Sequence, residues 1–275
     1  MIRFYLSQYP EENVVIKALH DGCPEPKVLA SLDDYEPSEV AVVMGVHKKA
    51  VPASFKRGQV IAEQKKRGFD SLILETGYIN RGAGASHHYA VGWNGLNGRA
   101  DFRNAGSPGD RAQKLGPLED WKYGEHILLC GQVPWDASVD FTNHQAWLAE
   151  AADNIIAVSP RDVVFRPHPL APLPNIAGCR YSKSKSLTED LADCHCVVTF
   201  NSNSAVEALV GGIPVFAFDQ GSMVWPVANK DWMALENPLR LDRTQWYNDL
   251  AYAQWTPEEM RSGETWRHIA NVVAA

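Results

Sequence analysis

Short apolar runs punctuate the first 75 residues: Ile2–Leu6, Val40–Met44 and residues 71–74 read as strands, and residues 54–67 have the composition of a helix. Runs of four or five apolar residues without alternation suit strands covered on both faces, so this rhythm predicts β-α-β units around a parallel sheet. Residues 77–120 interrupt the pattern. They are rich in Gly, Asn and Arg and predict long ordered loops with little regular structure, a feature often tied to function. A second series follows, with strands at 127–130, 162–166, 196–200 and 214–218 and helices at 143–158 and 204–210. Gly211-Gly212 and Pro214 end the second of these helices. Residues 244–273 predict two more helices that break at Thr256-Pro257, where Thr suits a cap and Pro a first helical turn. The expected architecture is α/β, two similar units in tandem, divided as 1–122 and 123–275 with the terminal helices in the second.

The chain of 275 residues carries a formal net charge of -7, which excludes a uniformly basic nucleic-acid coat. The balance is uneven, because residues 40–122 hold 13 Lys and Arg against 7 Asp and Glu. Lys48-Lys49, Lys56-Arg57 and Lys65-Lys66-Arg67 cluster there, followed by Arg81, Arg99, Arg103, Arg111 and Lys114. The start of the chain lacks the apolar core of a signal peptide and no long apolar run follows, so the expected compartment is the cytoplasm. Five cysteines lack paired metal-type spacing. Cys194-His195-Cys196 leads into Val197-Val198-Thr199-Phe200 and reads as a buried strand rather than a ligand set.

Three strand ends carry the candidate chemistry. Val163-Val164-Phe165 delivers Arg166-Pro167-His168-Pro169, where Arg166 offers a fixed positive fork and His168 a donor for a departing phosphate. The run Asn201-Ser202-Asn203-Ser204 opens a helix, and its hydroxyls and backbone N–H groups form a candidate anion site, with Glu207 placed to accept from ribose hydroxyls. Residues 127–130 open into Gly131-Gln132-Val133. Simple capping and loop roles are the alternative for each.

Gly131-Gln132-Val133 with Asp136-Ala137-Ser138, then Arg166-Pro167-His168-Pro169, Ser186-Leu187, Ser202-Asn203-Ser204 with Glu207-Ala208-Leu209, and Gly212-Ile213-Pro214-Val215 occur in this order. As a set they resemble the capsule-polysaccharide synthesis family of Kdo transferases. The resemblance covers about residues 125–220 and implies a GT-B fold: two Rossmann-like domains facing a cleft, C-terminal helices packing across, and a nucleotide-sugar donor in the second domain. It also implies that no metal is required and no cofactor beyond that co-substrate. Gly131, Gln132, Arg166, Ser202, Asn203, Ser204 and Glu207 become the expected donor-binding residues, with His168 catalytic.

The family carries an acidic Glu-Asp-Gly motif linked to acceptor deprotonation. Here Glu75-Thr76-Gly77 stands at the corresponding place, so Glu75 is the expected general base and Asp101, His87 and His88 are alternatives. A single base without a neighbouring nucleophilic carboxylate favours inversion at the anomeric carbon. Arg81, His87, His88, Trp93, Asp101 and Arg103 are the expected acceptor-binding residues. The basic stretch and its interleaved Tyr78, Tyr89, Trp93 and Phe102 suit a phosphate backbone and an unstacked base. With Glu-Thr-Gly, Arg-Pro-His-Pro and Asn-Ser-Asn-Ser, the chain also resembles phage-type transferases that modify hydroxymethylpyrimidines, making duplex DNA the preferred acceptor. A glycan-building transferase and a non-catalytic sugar-nucleotide binder remain open.

Overall fold

The computed structural model describes residues 1–46, 55–82, 84, 86–139 and 142–270. Two compact units emerge: Met1–Leu115 together with the chain from Asn248 onward, and Gly116–Tyr247. The first contains β1 (Ile2–Leu6), α1 (Pro10–Asp21), β2 (Lys27–Ser31), β3 (Val40–Met44), α2 (Phe55–Arg67), β4 (Asp70–Thr76), β5 (Tyr89–Trp93) and α3 (Ala112–Leu115). The second contains β6 (His126–Cys130), α4 (His144–Val158), β7 (Val163–Arg166), β8 (Arg180–Tyr181), α5 (Leu187–Leu191), β9 (Cys194–Thr199), α6 (Ser204–Val210) and β10 (Val215–Ala217). Helix α7 (Thr244–Ala251) spans the division in sequence, and β11 (Gln254–Trp255), α8 (Pro257–Arg261) and α9 (Glu264–Ala270) complete the first unit. No described helix is long and apolar enough to cross a membrane.

The sheet of the second unit runs β10-β9-β6-β7-β8 with every pair parallel. Its central strands are apolar throughout because both faces are covered: Ile127, Leu128, Leu129, Val164, Phe165, Val197 and Val198 are all buried. Helix α4 begins where the Asn143 side chain accepts the Ala146 N–H, and its Leu148, Ala151, Ala152 and Ile155 form one stripe against Ile127, Leu129, Phe165 and Val198. Each fully buried Leu or Ile in such a stripe contributes about 1.5–3 kcal/mol. Cys194, His195 and Cys196 lie inside β9 as a buried strand, and the His195 ring bonds the Leu235 carbonyl.

The first unit has the order β11-β5-β4-β3-β1-β2, with β2, β1, β3 and β4 parallel and the β4–β5 and β5–β11 pairs antiparallel. The expected domain division therefore shifts. Residues 116–122 belong with the second unit because Glu119 and Lys122 donate backbone N–H groups to the Val210 and Gly212 carbonyls. The terminal helices belong with the first, where Met260, Trp266 and Ile269 join Phe4, Leu19 and Leu72 in one core. Gly22 is bare because a side chain there would start 1.9 Å from the Met260 carbonyl oxygen. The stretch expected to be mostly loop also contains β5, and α1 and β2 complete the unit.

Candidate functional site

The registers of the second sheet set Cys130 level with Arg166 on one side and Thr199 on the other. The loops beginning at Gly131, Pro167 and Phe200 thus leave the sheet at one height. The chain runs from β6 outward to β7 and β8, then returns to β9 and β10 on the other side, so β6 and β9 flank the switch point where open α/β sheets collect ligands. Strands two apart lie about 10 Å from each other, a span suited to a phosphate with part of its sugar.

Arg166 departs from the expected free fork. Its Nη1 donates to Asp190 Oδ2 at 2.5 Å and to the Ser184 carbonyl at 3.3 Å. Burial pushes the Asp190 carboxyl pKa up, but hydrogen bonds from Ser182 and Ser184 and the Arg166 guanidinium outweigh it and hold the group below its ordinary value. The pair is close to neutral as a unit. Among the described residues, Nε and Nη2 of Arg166 have no hydrogen-bond partner and remain as directional donors.

His168 is oriented by its own loop. Its Nδ1 accepts the Leu170 N–H at 3.1 Å, and its carbonyl accepts the Ala171 N–H at 2.9 Å. A ring nitrogen that accepts carries no proton, so the neutral ring has its proton on Nε2, the form that donates to a leaving phosphate. Pro167 and Pro169 stiffen the turn.

The helix start also differs from expectation. Ser202 Oγ accepts the Ser204 N–H at 3.2 Å, and the Ala205 and Val206 N–H groups bond the Ser202 and Asn203 carbonyls. Asn203 is already helical, at φ -66 and ψ -18, so Ser202 acts as the effective cap and these backbone donors are engaged within the chain. The Ser202 hydroxyl is what the segment offers, with its proton to give, whereas Ser204 Oγ is buried without a nitrogen or oxygen partner. The Ser204 hydroxyl also faces the Cys130 thiol, whose pKa burial pushes up to about 12 against the influence of that hydroxyl. Glu207 is exposed on the first turn of α6.

Gln132 is a clamp rather than a donor ligand. Its Nε2 donates to Asn201 Oδ1 at 2.7 Å, and its Oε1 accepts the Asn201 N–H at 3.0 Å. Asn201 Nδ2 continues to the Ser138 carbonyl at 2.9 Å and to Asp219 Oδ1 at 2.8 Å, tying together the ends of β6, β9 and β10. The Gln132 N–H donates to Nε2 of buried His144, whose pKa burial lowers to about 4, so that ring is neutral. Gly131 lets β7 approach, since a side chain there would meet the Phe165 ring at 3.3 Å. Asn201→Ala is expected to lose about 1–3 kcal/mol, because it leaves the buried Gln132 Nε2 without its acceptor and removes one of the hydrogen bonds to the Asp219 carboxylate. Urea unfolding reads this directly, and an unchanged midpoint would show that the clamp carries no stability. Asp190, Asp219 and His144 escaped the motifs because each acts through a partner on a different element of the sheet edge, Arg166, Asn201 and Gln132 respectively.

In the first unit Glu75 is half-buried at the end of β4, and its Oε1 accepts the N–H of Thr76 at 3.0 Å. Gly77 is required by the packing: a side chain there would meet the His88 carbonyl at 2.6 Å and Gln254 Oε1 at 2.9 Å. The expected acceptor residues do not form one surface. Trp93 is 6% exposed within β5, and the Arg103 guanidinium lies 4.5 Å over its ring while Nη1 donates to the Ile269 carbonyl at 2.5 Å. Asp101 accepts the Arg103 N–H at 2.9 Å, so these three residues brace the terminal helix. His87 packs over Gly82, and burial lowers the pKa of His88. Arg81 is exposed.

The aromatic residues that favoured DNA are internal, whereas most of the basic ones, Lys56, Lys65, Lys66, Arg67, Arg81, Arg99 and Lys114, are exposed. Tyr78, Tyr89 and Phe102 are buried with Trp93 and present no stacking platform. Lys56 pairs with Asp33, Arg57 with Glu12, Lys66 and Arg67 with Glu63, and Arg111 with Glu259. Lys48 and Lys49 lie outside the described residues.

No protein-family model and no curated protein sequence matches the chain. Among solved structures, the fold is similar to that of Thermosulfurimonas dismutans KpsC, beta Kdo 2,7 transferase, over 99% of both chains, with 15% identity and a TM-score of 0.57. It is equally similar to the KpsC beta Kdo 2,4 transferase of the same organism, over 91% of this chain and 90% of that one, with 15% identity and a TM-score of 0.58. The mixed α/β fold, with one all-parallel sheet and one largely parallel sheet, is thus similar to that of the KpsC Kdo transferases.

Proposed function

We propose that the protein is a glycosyltransferase that moves a sugar from a nucleotide-sugar donor to an acceptor hydroxyl. The observation that carries this reading is the Arg166–His168 turn at the switch-point edge of the second sheet, where the Leu170 N–H holds the His168 ring through Nδ1. In the reaction the acceptor oxygen bonds to the anomeric carbon as the bond from that carbon to the phosphate oxygen breaks. The acceptor proton goes to Glu75, and the negative charge left on the phosphate is stabilised by His168, by Nε and Nη2 of Arg166, and by the Ser202 hydroxyl. Glu207, exposed beside them, suits the ribose. Inversion follows if Glu75 acts only as a base. No step calls for a metal.

The acceptor class in this reading is a glycan hydroxyl. The KpsC proteins of similar fold are Kdo transferases. The aromatics that favoured a DNA acceptor are buried, and Lys56, Arg57 and Arg111 of its basic residues are held in ion pairs. Incubation with a panel of nucleotide sugars, separately with oligosaccharide acceptors and hydroxymethylcytosine duplex, should give a one-sugar mass gain on an oligosaccharide. His168→Ala should lower that turnover by about 10²- to 10³-fold, the usual cost of one prepositioned donor at a developing negative charge. A mass gain on the duplex alone would replace the glycan reading with the DNA one. Absence of transfer from every donor would leave a binding protein.

A further inference from the structure

Between Gly131-Gln132-Val133 and Asp136-Ala137-Ser138, in the loop that leaves β6, stands a side chain with no role in the reaction above. The Val133 carbonyl accepts the Asp136 N–H at 3.0 Å and closes a tight turn with Pro134 and Trp135 at its two central positions. Proline fixes its own φ, so the first corner of this turn is stiff. Asp136 Oδ1 accepts the N–H and the hydroxyl of Ser138, each at 3.0 Å, and Val139 beyond them is fully buried. The backbone that carries Trp135 is thus held on both sides.

The anchors of this loop are the strand ends that bear the candidate phosphate donors. Before the turn, the Gly131 N–H bonds the Arg166 carbonyl at 2.9 Å, and a side chain on Gly131 would begin 3.5 Å from the Pro167 backbone. After it, the Ser138 carbonyl accepts Asn201 Nδ2 at 2.9 Å, one residue before Ser202. Trp135 is therefore bracketed by the Arg166–His168 turn and the Ser202 cap, all within the second unit.

Trp135 is also an exception among the nine tryptophans of the chain. Each of the other eight has an aromatic ring or a cation beside it, as Trp232 has Phe218 and Trp121 has Arg243. Trp135 is 44% exposed and has neither among the described residues, nor a hydrogen-bond partner for its indole N–H. An indole left in water forgoes the burial that normally retains this residue, whereas a flat ring with two side-chain torsions loses little freedom when another ring lies on it.

We propose that Trp135 is a stacking residue for the nucleobase of the sugar donor. This rests on the sugar-transfer reading of the second unit. Arg166, His168 and Ser202 suit the charged end of a nucleotide. Its other end is a flat uncharged ring, to which Trp135 offers a π-face. Such a stack registers that a base is present without choosing among bases, because every base has a face to give.

The test is calorimetry on the full chain. Uridine, cytidine, thymidine, adenosine and guanosine 5′-monophosphates and 5′-diphosphates are titrated beside ribose 5-phosphate, which has sugar and phosphate but no base. Trp135→Ala should weaken the tightest nucleotide by about tenfold, the loss that accompanies one base–aromatic stack, and bind ribose 5-phosphate as the parent does. Trp135→Phe should recover most of the affinity, since it keeps a ring. The urea midpoint of Trp135→Ala should match that of the parent, because the side chain has no partner to lose. Parent-like nucleotide affinity in Trp135→Ala, or no recovery in Trp135→Phe, overturns the proposal and leaves the sugar-transfer reading standing. An equal loss for nucleotide and ribose 5-phosphate also overturns it, by making Trp135 part of the packing of the loop. A parent chain that binds none of the nucleotides overturns the sugar-transfer reading and the proposal together.

Discussion

Glu75→Gln is expected to bind the nucleotide-sugar donor normally and to transfer sugar about 10²- to 10⁴-fold more slowly, the range that a positioned general base contributes. The substitution keeps the size of the side chain and its bond from the Thr76 N–H, so the end of β4 should be undisturbed. What it removes is the capacity to take a proton. Donor affinity by calorimetry and single-turnover transfer separate the two effects. Normal single-turnover rates would move the base to another residue, with Asp101, His87 and His88 the next to test. Of these, His88 starts with a pKa lowered by burial, which favours a neutral ring, whereas Asp101 is engaged with the Arg103 backbone.

Arg111→Met is expected to destabilise the first unit by about 3–5 kcal/mol, the usual cost of removing one partner from a buried ion pair. Arg111 is 4% exposed, donates to Glu259 at 2.6 and 3.1 Å and to the Ala251 and Gln254 carbonyls, and lies 3.8 Å over the Trp255 ring. Burial alone would raise the Glu259 pKa, but the Arg111 hydrogen bonds lead the influences that hold it below the ordinary 4.5. The folded-state pKa is the lower one, so this stabilisation is fully present above the unfolded-state value and is lost as pH falls through the folded-state value. Urea midpoints measured across that acid window should fall steeply for the parent protein and much less for Arg111→Met. Equal midpoints for the two at neutral pH would show that the ion pair is not what anchors the terminal helices.

The elements that hold the second unit together were legible because they are local. Ile127–Cys130 and the 196–200 run are continuous apolar stretches and α4 starts at an Asn cap; in the first unit, Thr256 likewise caps α8 with Glu259 closing the capping box. Strand β5 was hidden because its sequence, Tyr-Ala-Val-Gly-Trp, sits among glycines and asparagines and owes its state to pairing with β4 and β11. The placement of the terminal helices was equally unreadable, since β11 is two residues long and its partner strand lies far back in the chain.

Charge misled most. Arg57 and Glu12 are 45 positions apart, and Arg111 and Glu259 are 148 apart, so a local count of basic residues sees only one member of each pair. At the donor side, four consecutive small polar residues suggested open N–H groups, while Asn203 in helical conformation lets Ser202 consume them.

The return of β11, α8 and α9 to the first sheet has a consequence for biosynthesis. At about 5–20 residues per second, the ribosome spends on the order of ten seconds on the intervening unit before residues 254–270 emerge. During that interval β5 waits with one unpaired edge, and the apolar surfaces of Leu19 and Phe4 lack Trp266 and Met260. The second unit is contiguous in sequence and has all its strands available before the first can close. A nascent chain stalled in this window offers a hydrophobic, strand-edged surface, the kind that chaperones capture.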